Sequence, residues 1–367
     1  MDRVKSNIPF VGLHAHSVAG SPFDGFGYPQ DHMEFAWQNG CDALALTDHG
    51  NMNGLSYQVL HAKRMAKEGK NFKPIFGVEA YFNPSIDEWK AAYDEAQADK
   101  KKARTSKKGD SGINAEDEAA SKQAAKDTLN RRRHLILIAQ NQTGLNNIFK
   151  IISTSFQGDN FYRFPRVDYA LLKKYGEGVI ASSACLGGVY AGNFWENREA
   201  GEEAILNAMR ETTTNMVDIF GDRWYGELQW NNVPEQHELN KYVIQMHQEF
   251  GINLISTADS HYPDKDSWKD RELYKRLGFL GRKKKSDWMS SELPVDVDEI
   301  GYELYPKNGD EMWASYKKYS AECGVEYDDD TIYDSLTTTH WIAFEQIEDF
   351  LPDDTVRLPG FVVPDGD

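Results

Sequence analysis

A barrel of about seven βα units is the architecture this sequence predicts. Two observations carry that expectation. Short apolar runs alternate with amphipathic stretches that often end at glycine, and the alternation persists along most of the chain, as in a parallel sheet with helical crossovers. The residues able to do chemistry (His, Asp, Glu and Cys) collect where the apolar runs end, the rim on which βα barrels build their sites.

The elements follow in order. FVGLHAH (10–16) reads as a strand, and YPQDHMEFAWQNG (28–40) as a helix closed by Gly40. DALALTDHG (42–50) is apolar and then abruptly polar, and the 55–69 stretch is helical up to Gly69. KPIFGVEAYF (73–82) is a strand. The rhythm resumes with strand-like HLILIAQ (134–140) before helical GLNNIFKIISTSF. GVIASSACLGG (178–188) precedes a long helical stretch around 195–219, and WYGELQW (224–230) precedes the helix that begins at Pro234. INLISTADSHY (252–262) precedes helical DSWKDRELYKRLGF.

Residues 83–130 break the pattern. They are rich in Ala, Lys and acids and read as an inserted, solvated helical or disordered excursion. The barrel with this insertion is expected over 1–290. A small helical extension and a linker-like tail are expected over 291–367.

Composition narrows the function. With 40% hydrophobic residues and 18 Tyr, 18 Phe and 9 Trp, a substantial core can form. A formal net charge of −17 argues against capture of nucleic acid over the whole surface, though not against a local basic groove or an end held through metal ions. Cys41, Cys185 and Cys323 are too few and too scattered for a disulfide framework, which suits a reducing cytoplasm. No apolar run approaches the length of a membrane span.

His14 and His16 lie two apart, so on a strand both imidazoles aim at one point. Asp259 and His261 repeat that spacing after a later β run. Asp48-His49, Glu79 and Cys185 also stand at or near strand ends, and His134 is the exception that opens its strand. Alone, Cys185 reads as a small core residue and Glu79 as a surface acid. Together these carboxylates, imidazoles and the thiol suit Zn²⁺, Mn²⁺ or Fe²⁺.

The segments GLHAHS, DALALTDHGNMNG, KPIFGVEAYF, HLILIAQNQTGLNNI, FPRVDYALL, GVIASSACLGG, GELQWNNVPEQ and LISTADSHY occur in that order. In these segments, over roughly residues 8–320, the chain resembles the PHP (polymerase and histidinol phosphatase) domain. The nearest type is the one at the N-terminus of bacterial and phage DNA polymerase III alpha subunits. The resemblance implies a distorted (β/α)7 barrel. It also implies nine metal-ligand positions, filled here by His14, His16, Asp24, His49, Glu79, His134, Cys185, Asp259 and His261. By the same resemblance, His14, His16, Glu79 and Asp259 would hold one of two to three divalent ions. Asp24, His49 and His261 would hold a second, and Glu79, His134 and Cys185 a third. Two features depart from the family: the His16–Asp24 spacing is one residue longer, and the 83–130 insertion is far longer than the usual connection.

The chemistry so implied is metal-dependent phosphoester hydrolysis, with Glu79, His134 and Asp259 as the catalytic residues. The polymerase-type segments imply a 3′–5′ exonuclease acting on a DNA 3′ end in a bacterial or phage-infected cytoplasm. Arg133, Arg166, Lys283 and Lys284 are candidates for gripping flanking phosphates, and Phe26 and Tyr28 for stacking a frayed base. The tail EQIEDFLPDDTVRLPGFVVPDGD resembles the linker into a polymerase palm. The expected partner is therefore a separate chain carrying palm and fingers, and no DNA synthesis is expected from this chain alone. The competing expectations are a histidinol-phosphatase-type monoesterase and a non-catalytic scaffold stabilised by metal.

Overall fold

The computed structural model describes residues 3–105, 132–279, 303–353, 355 and 360. The strands are β1 (Ala43–Leu46), β2 (Lys73–Phe82), β3 (Arg133–Ala139), β4 (Phe161–Tyr162), β5 (Phe164–Val167), β6 (Val179–Ser182), β7 (Trp224–Gln229) and β8 (Asn253–Thr257). Their order is β4-β5-β2-β3-β6-β7-β8, with β1 on β2.

The sheet curls on itself and residues 10–16 close it. Gly12 bridges Leu44 beside β1 and Ala15 bridges Ser260 beyond β8, both parallel. The closing hydrogen bonds run from Ala45 N to Gly12 O and from His16 N to Ser260 O, at 2.8 and 2.7 Å. These isolated bridges replace the regular strand expected over 10–16. Counting that segment, the ring is a distorted seven-membered barrel with a mixed sheet: 10–16, β1, β2, β3, β6, β7 and β8.

The wholly parallel sheet expected from the βα rhythm is corrected in two places: β4 forms an antiparallel hairpin with β5 at the edge, and β3 is reversed within the ring. β3 runs antiparallel to both β2 and β6. That reversal explains why His134 opens its strand. The first residue of a reversed strand lies on the same rim as the last residues of its neighbours.

Alternation along each strand separates an inner from an outer core. On β3, Ile136 and Ile138 join Val11, Leu13, Ile75, Ile180, Tyr225 and Ile255 inside the barrel. Leu135 and Leu137 face the other way, into the layer under the helices. The helices before the C-terminal region are α1 (Pro29–Gln38), α2 (Leu55–Lys67), α3 (Ile86–Thr105), α4 (Gln142–Ser155), α5 (Tyr169–Tyr175), α6 (Val189–Asn197), α7 (Glu202–Phe220), α8 (Pro234–Phe250) and α9 (Trp268–Phe279), and α2 and α4 to α8 supply that layer. The single helix expected around 195–219 is two, α6 and α7, broken at Gly201, whose φ is +94°. α3 is the described part of the 83–130 insertion, and Ile86 and Trp89 on its first turns are buried.

The C-terminal elements join the outer layer through Met312, Tyr316, Ile332 and Leu336, and their last turn closes the opposite mouth of the barrel. They are α10 (Gly309–Glu322), α11 (Asp329–Trp341) and a π-helical turn, Ile342–Gln346. Ile342, Ala343 and Ile347 fill the barrel interior, and Tyr225 OH donates to Gln346 Oε1 at 2.8 Å. Lys73 Nζ, at the start of β2, donates to the Ile347 carbonyl at 2.6 Å. With that end stoppered by apolar groups, the opposite rim is the open one. Among the described residues, no helix is long and apolar enough to cross a membrane.

Candidate metal centre

Four buried side chains meet at the open rim. His14 and His16 come from the closing segment, Glu79 from β2 and Asp259 from the turn after β8. His14 Nε2 lies 3.0 Å from His16 Nε2, 2.8 Å from Glu79 Oε2 and 3.1 Å from Asp259 Oδ1. His16 Nε2 lies 3.2 Å from Asp259 Oδ1 and 3.5 Å from Glu79 Oε2. Asp259 adopts φ +50°, a left-handed conformation that non-glycine residues reach at a cost, so local strain accompanies its placement.

The other oxygen of Glu79 serves a second group. Oε1 lies 2.7 Å from His49 Nδ1 and 2.7 Å from His134 Nδ1. Cys185 Sγ lies 3.6 Å from that same His134 nitrogen. The loop after β6 fits closely round the ring, since a Cβ on Gly187 would come within 3.1 Å of His134. Asp24 Oδ2 stands 3.2 Å from His49 Nε2 and 3.7 Å from His261 Nε2, and the His16 ring stacks on His49 at 4.1 Å. The structure thus brings all nine expected residues to one rim. Within it, His49 reaches Glu79 and His134 as well as Asp24.

Proton bookkeeping tests whether a cation suits the first group. Glu227 is buried on β7, and its Oε1 lies 2.7 Å from His14 Nδ1. The same oxygen accepts from Thr257 Oγ1 and Gln229 Nε2, while Oε2 accepts from Ser182 Oγ. A carboxylate so surrounded accepts only, so Nδ1 of His14 carries the proton. In the neutral ring, Nε2 then presents a lone pair to Glu79, His16 and Asp259. Asp259 Oδ1 is buried with no hydrogen-bond partner among the described residues. Lone pairs and anionic oxygens packed 2.8–3.5 Å apart need a proton or a cation between them. About 3.4 Å is the ligand–ligand spacing of a tetrahedral ion with bonds near 2.1 Å. The residues fit a divalent cation.

The electrostatics agree. Burial opposes charge on His14, yet Asp259 and Glu227 hold its pKa well above the usual imidazole value. His49 is raised likewise, against burial, by Glu79 and Asp24. Burial opposes ionisation of Glu79, but His134 and His49 keep it well below the usual carboxylate range. Burial, reinforced by Asp259 and Glu79, pushes the Cys185 thiol well up. Burial takes His261 down to about 4.

Two residues escaped sequence reasoning as contributors. The signal for Glu227 was a carboxylate in apolar WYGELQW, in phase with the inward Tyr225. Asp48, noted beside His49 but given no part, is buried and accepts from Ser17 N (2.7 Å), Ser17 Oγ (2.9 Å) and Ser21 Oγ (2.8 Å), which pins the loop carrying Asp24.

The expected phosphate contacts need correction. Arg166 is buried, with its guanidinium 3.8 Å from the centre of the Trp89 ring and donating to the carbonyls of Asp159 and Asn160. It braces the 158–167 hairpin instead of standing exposed as a phosphate grip would. Arg133 is paired with Glu196. Lys283 and Lys284 lie outside the described residues. Phe26 is half-buried near Tyr274, while Tyr28 is exposed beside Tyr57.

Fold and side chains together define an α/β barrel with a buried histidine–carboxylate cluster suited to a cation. The PHP domain model matches residues 12–231, and the chain belongs to that family. It is 35% identical over 284 residues to the DNA polymerase III subunit alpha of Aquifex aeolicus, covering 77% of this chain and 20% of that protein. To the Borreliella burgdorferi DNA polymerase III subunit alpha it is 29% identical over 359 residues, covering 97% and 25%. The chain therefore spans a fifth to a quarter of the length of these curated relatives. One similar solved structure is a two-domain Bacteroides vulgatus protein that contains a predicted PHP-like metal-dependent phosphoesterase. Its identity is 15% and its TM-score 0.36, over 74% of this chain and 60% of that one.

Proposed function

We propose that this chain is a metal-dependent phosphodiesterase that removes nucleotides from a DNA 3′ end, using two to three divalent ions. One observation carries the reading: the two oxygens of Glu79 belong to different ligand groups. Oε2 faces His14, and Oε1 faces His49 and His134. A shared carboxylate is how closely spaced ions are held for in-line displacement at phosphorus. Bound there, the ions supply Lewis acidity, neutralising phosphate oxygens and making water a stronger acid.

The chain's own residues supply the rest. Glu227 fixes the tautomer of His14, and Asp48 fixes the loop that carries Asp24. Cys185 is partly buried, 3.6 Å from His134, and its raised pKa keeps it from being a free attacking thiolate, so its part in this reading is that of a ligand once a cation is bound. The choice of DNA rests on the relatives, which are replicative polymerase subunits. A partner chain bearing the polymerase palm belongs to the same proposal.

The test is digestion of single-stranded oligonucleotides labelled at either end, with Mn²⁺ or Zn²⁺ and with chelator, beside His14→Ala. Metal-dependent loss of 3′ nucleotides, absent in the variant, is expected. Phosphate release from monoesters without any oligonucleotide digestion would overturn the reading.

A further inference from the structure

Beside the cation centre stands an arginine that the site as described leaves unused. The Arg132 guanidinium lies 3.7 Å from the centre of the Phe164 ring and 5.6 Å from that of Tyr81. Phe164 meets Tyr81 edge-on at 5.4 Å. Tyr81 in turn lies parallel to the His49 ring at 6.1 Å and 5.7 Å from His134. Tyr81 thus has both the guanidinium and the two imidazoles as neighbours. Arg132 is exposed, and among the described residues no carboxylate pairs with it and no acceptor takes its N–H groups. Its neighbour Arg133 is committed to Glu196, and Arg166 is buried.

In a chain of net charge −17, an unpaired cation parked on an aromatic face suggests an anionic ligand. Stacking orients the planar fork beforehand, so less freedom is lost when it grips two oxygens of a phosphate. The guanidinium lies 5.6 Å from the Tyr81 centre, and the His49 and His134 rings lie 6.1 and 5.7 Å from that same centre, so the cation stands a side chain's width from the ligand groups. A phosphate on Arg132 is therefore not the one at the cation centre but its neighbour along a chain.

We infer that Arg132, placed over the Phe164 ring beside Tyr81, binds the phosphate adjacent to the scissile one in a single-stranded oligonucleotide. The inference rests on the phosphodiesterase reading, and two separate measurements keep them distinguishable. The first compares kcat/KM on an oligothymidylate with that on the p-nitrophenyl ester of thymidine 5′-phosphate, which has no neighbouring phosphate. Arg132→Ala should lose about 10-fold more on the oligonucleotide than on the ester, mainly in KM, with unchanged ion content. Arg132→Lys should recover part of that loss, since it restores charge but not the fork.

The second measurement is fluorescence anisotropy of the labelled oligonucleotide with the full chain in chelator, over a salt series. Arg132→Ala should weaken binding about 10-fold and reduce the log–log salt slope by about one. If wild type binds in this Arg132-dependent way yet cleaves neither substrate, the phosphodiesterase reading fails and the phosphate site stands. Equal affinity and slope in wild type and Arg132→Ala, or no binding by either, overturns the inference.

Discussion

Nδ1 of His14 and Oε1 of Glu227 lie 2.7 Å apart, and both side chains are wholly buried. The pair sets what His14 presents to the centre, because in the neutral ring a proton on Nδ1 leaves Nε2 as a lone pair aimed at Glu79 and Asp259. Glu227→Gln keeps the volume but releases the tautomer. Cation affinity should fall about 10–100-fold with little change in thermal midpoint, as read by titration of the metal-free protein. Unchanged affinity would show that the pair is packing alone.

Glu79→Gln should be the more severe change. Its two oxygens face different ligand groups, so one substitution weakens both. Hydrolysis should drop to background and ion content should fall, while circular dichroism stays native. Full activity in this variant would remove the bridging carboxylate from the account.

The raised pKa values of His14 and His49 fix a sign. Without metal, each imidazole holds a proton that its carboxylate neighbours stabilise only in the folded chain. That contribution is complete below about 6.5, the ordinary imidazole value, and is lost as pH rises through the raised folded values. In chelator, the thermal midpoint should therefore decline on the alkaline side of neutrality. Added Mn²⁺ or Zn²⁺ should abolish the decline, because the ion replaces the protons, and loading should release protons into unbuffered solution. A metal-free midpoint that is flat or rising over that window would contradict the assignment.

Arg166→Ala separates bracing from binding. The buried guanidinium covers Trp89 and holds two carbonyls, so its loss should cost about 2 kcal/mol or more in a denaturant titration. The salt slope of oligonucleotide binding should not change. A slope reduced by about one would restore Arg166 as a phosphate contact.

What the sequence revealed, and what it hid, follows from the range of each interaction. β2 and β7 were legible because apolar alternation is local, and β2 spans the residues expected of it. The histidines were legible because spacing of two and strand-end placement are also local. The direction of β3 was not, since Ile136 and Ile138 alternate with Leu135 and Leu137 in the same way whichever way the strand runs. Only His134, at the wrong end of its strand, hinted at reversal. Arg166 looked like a surface cation because the ring that cages it, Trp89, lies in the insertion. Ile342 and Ala343 read as part of a helical extension and Ile347 as part of a linker-like tail, and only the closed ring shows that they stopper the barrel.

The central claim is that His14, His16, Glu79 and Asp259 hold a divalent cation. Anomalous diffraction from crystals soaked in Mn²⁺ tests it most directly. The account predicts a peak enclosed by the two Nε2 atoms, Glu79 Oε2 and Asp259 Oδ1, lost in His14→Ala crystals of the same form. A well-ordered rim with no peak there, or with peaks only at surface carboxylates, would contradict it.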